Sequence, residues 1–174
     1  MLEILEGVKV SIKEGVIIAE GKAGVNKRKY NTKLLDVKIE GDKIDIIPIV
    51  QNKKLLKVAT NTINTLAKCI QNDMHGAQKL YEINMLAVFS HFPITIETKD
   101  NKVIIKNILG ARGILTTNII GENTKIDIKG QNVRVHGTSI DDVSQTAANI
   151  KRVCKVRKKD ERIFQDGVYY AIEQ

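Results

Sequence analysis

Leu35-Asp36-Val37-Lys38-Ile39-Glu40-Gly41-Asp42-Lys43-Ile44-Asp45-Ile46 reads as a strand, a turn and a returning strand. Leu35, Val37 and Ile39 alternate with polar residues at the two-residue period of a half-buried strand. Glu40-Gly41-Asp42 is the turn, because glycine accepts backbone angles that other residues avoid. The pattern recurs downstream. Ile126-Asp127-Ile128 echoes Ile44-Asp45-Ile46, Lys129 to Asn132 turns the chain, and Val133-Arg134-Val135 brings it back. A helical pattern follows each hairpin, so the chain reads as a duplication.

Working outward from the two hairpins supports that reading. Upstream of the first, Val8 to Ile12 alternates, Lys13-Glu14-Gly15 turns and Val16-Ile17-Ile18 returns, with a loop over Glu20 to Gly24. Upstream of the second, Ile94-Thr95-Ile96, a turn at Lys99-Asp100-Asn101 and Val103-Ile104-Ile105 repeat the order, and a glycine-containing loop runs from Asn107 to Gly113. The first helix begins near Lys53. Its seam is Leu55, Ala59, Ile63, Leu66, Ile70 and Met74, one face of an amphipathic helix, and Gly76 is the expected stop. Ser139 is the expected cap of the second helix, whose seam is Ile140, Val143, Ala147, Ile150 and Cys154. Strands preceding a helix in each half imply an α+β fold: two similar tandem domains, each an antiparallel sheet packed with one helix. The boundary falls in the region Gly76 to Phe89, giving domains 1–84 and 85–174.

Composition narrows the function. Aromatics are only 4% with no Trp, so the cores are aliphatic; 28% charged residues, a net charge of +8 and a pI near 9.4 make nucleic acid the first partner to consider. No apolar run approaches the roughly 18 residues of a membrane span, so no membrane partner is expected. Met1 to Glu6 lacks the basic start and long apolar stretch of a signal peptide. Cys69 and Cys154 are read as buried free thiols of a reducing compartment. Phosphate-loop and dinucleotide fingerprints do not occur, nor does zinc-type spacing. His75, His91 and His136 sit in no nucleophile motif. We therefore assign no catalytic or metal-binding residue, no cofactor and no small-molecule substrate.

Charge is concentrated in one place. Residues 151–162 hold seven Lys/Arg (Lys151, Arg152, Lys155, Arg157, Lys158, Lys159 and Arg162) against two acids, Asp160 and Glu161. Such a cluster repels itself and is favoured when a polyanion lies against it. Without it the second half has seven basic and eight acidic residues, so the run polarises that half and assigns it the principal nucleic-acid contact. Asp166-Gly167 is a turn signal, and Phe164 and Tyr169 are the expected anchors holding this surface to a core.

Lys158-Lys159-Asp160, Arg162, Phe164, Asp166-Gly167 and Tyr169 in this order resemble the C-terminal signature of the large-subunit ribosomal protein six family, in its archaeal and eukaryotic type. Ser90-His91-Phe92-Pro93-Ile94, Ile105 to Gly110 and Asp142 to Ala148 resemble further motifs of that family, in the same order, covering about residues 88 to 170. The resemblance implies a non-enzymatic constituent of the cytosolic large ribosomal subunit. It would bind rRNA near the stalk base and sarcin-ricin region, with large-subunit rRNA and neighbouring large-subunit proteins as partners. It also adds Lys106, Asn107, Gly110 and Arg112 to the basic run as candidate rRNA-binding residues. The first half departs from the family: Thr60 to Asn64 and Leu80 to Leu86 carry no positive charge where its eukaryotic members are basic, so its RNA contacts are expected to be reduced or lost. The competing readings are a free-standing RNA-binding or RNA-modifying protein and a protein-interaction adaptor.

Overall fold

The computed structural model describes residues 2–50, 52–160 and 162–171. They divide into two units, Met1–Leu80 and Tyr81–Gln174. In the first, β1 is Leu2–Glu3, β2 Lys9–Lys13, β3 Val16–Gly21, β4 Gly24–Lys29, β5 Leu35–Glu40, β6 Lys43–Pro48 and α1 Lys53–Gln78. In the second, β7 is Tyr81–Val88, β8 Thr95–Lys99, β9 Lys102–Lys106, β10 Ile114–Asn118, β11 Lys125–Lys129, β12 Asn132–Gly137, α2 Ile140–Cys154 and β13 Gly167–Tyr170. All pairings are antiparallel. The fold is α+β.

The duplication extends further than the hairpins that revealed it. Each unit has a leading strand, a three-stranded meander, a hairpin and a helix. The meanders are β2-β3-β4 and β8-β9-β10; the hairpins are β5-β6 and β11-β12. The leading strand pairs with the hairpin's second strand in both, β1 with β6 and β7 with β12. Even the turns correspond: Glu14-Gly15 and Asp100-Asn101 each put two successive residues at positive φ, as a two-residue hairpin turn requires. The second unit alone adds a strand, β13, on the free edge of β7.

Each unit has its own core. In the first, α1 buries Ala59, Leu66, Ile70 and Met74 against β3, β4 and β6. Leu55, expected on the same seam, is 43% exposed. Gly76 does not end the helix, which runs to Gln78. The reason is tertiary: the Ala23 N–H donates to the Ala77 carbonyl at 2.8 Å, and a Cβ on Gly21 would lie 2.4 Å from that same oxygen. The β3–β4 turn thus clasps the last helical turn. Asp73 adds a second clasp by accepting from Arg28 Nη2 at 2.9 Å and from Arg28 Nε.

In the second unit α2 buries Val143, Ala147, Ile150 and Cys154, four of the five expected seam residues, together with Thr146. Complete burial of a side chain like Ile150 is worth about 2–3 kcal/mol. Ser139 caps the helix, its Oγ accepting from the Asp142 N–H at 3.4 Å. Tyr81–Asn84, assigned from sequence to the first domain, open β7 and pair with Gly137–Arg134, so the division falls at Leu80–Tyr81. Cys69 is half-buried rather than buried, and both cysteines are free.

Candidate nucleic-acid interface

The basic run starts on α2. Helical geometry that buries Ile150 and Cys154 turns Lys151 and Arg152 to solvent, in the last turn where cations complement the helix dipole. The chain then leaves the helix as an irregular strap with Lys155, Arg157, Lys158, Lys159 and Arg162 exposed. Lys158 takes a left-handed conformation, φ 59°. A tight turn follows at Asp160, whose carbonyl accepts from the Ile163 and Phe164 N–H groups at 3.1 and 2.9 Å. The Asp160 carboxylate accepts from the Arg162 backbone N–H at 3.0 Å and from its guanidinium at 3.1 and 3.2 Å. The Arg162 side chain, followed by its backbone N–H, holds the Asp160 carboxyl below the usual range.

The strap is anchored differently from expectation. Phe164 and Tyr169 are 37% and 43% exposed, so neither ring reaches the core. The anchors are Asp166, Gly167 and Val168, all buried. Val168 is 1% exposed, pairs with Ala87 of β7, and its N–H donates to the Cys154 thiol. Both ends of the strap therefore converge on one point, where α2 stops and β13 begins. Burial pushes that thiol up to about 12, against a smaller lowering by the Val168 N–H.

The second candidate stretch meets the strap. Ile108, Leu109, Ala111, Gly113 and Leu115 line a groove of about 220 Å³ with Lys155, Val156, Arg157 and Lys159. Arg112 lies in that loop and is exposed. Three expected members are engaged within the protein. Lys106 pairs with Glu97 at 2.9 Å, and Asn107, itself left-handed, donates from Nδ2 to the Pro93 carbonyl at 3.0 Å. Gly110, at φ +73°, lies against the Phe92 ring, 3.2 Å from where a Cβ would sit. These three shape the loop; Arg112 and the strap supply the charge.

Strand register assembles in the first unit a cationic face that no continuous run of its sequence forms. Register places Lys9, Glu20 and Val25 in one row across the meander, Ser11, Ile18 and Lys27 in the next, and Lys13, Val16 and Lys29 in the third. Four exposed lysines against one acid share this side of the sheet. In the neutral part of α1, Thr60, Thr62 and Thr65 donate their hydroxyls back to the carbonyls of Leu56, Val58 and Asn61.

A profile of the family described as "Ribosomal protein L6" matches residues 92–167, a span containing both the loop and the strap. A large ribosomal subunit protein uL6 from Methanocella arvoryzae is 37% identical over 169 residues, covering 97% of this chain and 93% of that protein. The uL6 of Haloarcula marismortui is 35% identical over 168 residues, with 97% and 92% covered. That of Staphylothermus marinus is 34% identical over 171 residues, with 97% and 90% covered.

Proposed function

This chain belongs to the ribosomal protein L6 family, and on that footing we propose that it is a non-enzymatic structural constituent of the large ribosomal subunit. It binds and braces large-subunit rRNA near the stalk base and sarcin-ricin region, in the cytosol, beside other large-subunit proteins. The observation that carries this reading is the strap of residues 155–166, a dense set of cations held at both ends by buried residues of the second unit. Ordering the strap during folding means that RNA binding need not supply that entropy. Lys151, Arg152, Lys155, Arg157, Lys158 and Lys159 meet phosphates, with Arg112 contributing from the facing loop. Such contacts fix position on a folded RNA without reading base sequence, since A-form helices present phosphates, 2′-hydroxyls and shape.

The experiment is a footprint of the full chain on purified large-subunit rRNA, repeated with Lys155→Glu, Arg157→Glu and Lys158→Glu combined. The parent protects a discrete rRNA region and the triple variant loses that protection. Equal protection by both would refute the assignment. Charge reversal also separates this reading from an adaptor that binds protein alone.

A further inference from the structure

Phosphate binding accounts for the cations of the second unit but not for the rings among them. A groove of about 540 Å³ lies between the second half of α2 and β13, lined by Lys151, Arg152, Lys155 and by Phe164, Tyr169 and Tyr170. Three of the seven aromatic residues in the chain thus share one groove. They are 37%, 43% and 42% exposed, although Val168 and Asp166 already anchor the strand that carries two of them. Rings left this open are a cost to a free protein, because apolar surface stays wet. Two carry a lysine on one face: Lys159 Nζ is 4.5 Å from the Phe164 centroid, and Lys151 Nζ is 4.8 Å from that of Tyr170. The cations steady the rings and place positive charge at the groove's edge. Double-helical RNA has no use for such rings, since its bases are stacked internally. Single strands do: their phosphates meet cations while their bases stack on aromatic side chains.

We propose that this groove takes one unpaired nucleotide of an RNA strand, its base stacked on an exposed ring and its flanking phosphates on Lys151, Arg152 and Lys155. The inference rests on the RNA-binding reading above and adds a contact which that reading does not require. The size fits, because the groove falls within the range of pockets that hold small ligands.

The chain has no Trp, so its emission comes from four tyrosines, two of which line the groove. The full chain is titrated with a short single-stranded oligoadenylate, a fully abasic oligomer of the same length, an RNA duplex of matched charge, and adenosine monophosphate. Oligoadenylate quenches tyrosine emission and binds about 5- to 150-fold more tightly than the abasic oligomer, the worth of one stacked base. Phe164→Leu and Tyr170→Leu, followed by anisotropy of labelled RNA, lose a comparable factor for oligoadenylate and keep duplex affinity. Equal affinity for abasic and base-bearing oligomers overturns the proposal, and this arm needs no variant. So does monophosphate binding as tight as that of the oligomer, which would put a mononucleotide rather than an RNA strand in the groove. Failure of duplex and oligomer alike would overturn the RNA-binding reading itself, and this proposal with it.

Discussion

Asp160 sits inside the cationic strap and neutralises one of its members. Its carboxylate holds the Arg162 guanidinium through two hydrogen bonds while also accepting from the Arg162 backbone N–H. Asp160→Asn keeps an oxygen for the backbone N–H, so the turn survives, but removes the charge that occupies Arg162. One further cation then becomes available to phosphate. Each phosphate neutralised on a duplex steepens the dependence of log K on log salt by about 0.9. Extrapolated to a 1 M reference, the gain is about eightfold at 0.1 M salt and about twofold at 0.5 M. The assay is binding of the full chain to large-subunit rRNA across a salt series. The expected result is tighter binding at low salt, curves converging at high salt, and a steeper slope. Unchanged or weaker binding with the parent slope would refute the placement of the strap against RNA phosphates. Because the Asp160 carboxyl is held below its ordinary range, acidification reproduces the substitution only at pH below the usual carboxylate titration.

Other expectations concern the scaffold. Val168→Ala empties a fully buried site at the strap's anchor and destabilises the second unit by about 2 kcal/mol, read by chemical denaturation. The same variant increases proteolytic cleavage within residues 155–166. Asp73→Ala removes the carboxylate that takes two hydrogen bonds from the Arg28 guanidinium and lowers the first unit's stability by about 2 kcal/mol, without altering RNA affinity of the strap. Cys154 has a folded-state pKa raised to about 12, above its unfolded value near 9, so the native state keeps the proton longer. Its contribution is complete below pH 9 and is lost as pH rises through 12, by about 1.4 kcal/mol per pH unit, measurable as a falling unfolding midpoint that Cys154→Ala flattens. Gly21→Ala drives a methyl into the Ala77 carbonyl and costs about 1–3 kcal/mol, measured as a lower midpoint for the first unit.

How much of this was readable in the residues depended on where the burial signal came from. The hairpins and helix seams were legible because a regular period follows from one buried face, as Val133, Val135, Val143 and Ile150 show. β4 was not, because its inward residue is Asn26, whose amide donates to the Asp73 carbonyl instead of joining an apolar row. β10 escaped because Ile114 and Leu115 are both exposed. The helix stop at Gly76 failed because tertiary packing around Ala77 overrode a local glycine signal. In the site, charge density found the strap, but composition could not tell which residues hold it. Size favours the rings of Phe164 and Tyr169 as anchors, yet both are exposed, whereas small Gly167 and Val168 lie deep enough to anchor. The lysine face of the first meander needed strand register, which brings together residues sixteen positions or more apart, such as Lys13 and Lys29.

β13 is the last strand of its unit to leave the translating ribosome, yet its partner β7 is the first. Until Val168 arrives to lie beside Ala87, the cations of the strap have charge but no shape, and β7 shows an open edge. A half-made chain can therefore adhere to nucleic acid only as a loose polycation would, weakly and without preference. If the strap is the RNA-binding face proposed above, its fit to a folded RNA surface is acquired only once β13 has paired with β7, so the order of manufacture itself delays commitment to a binding place.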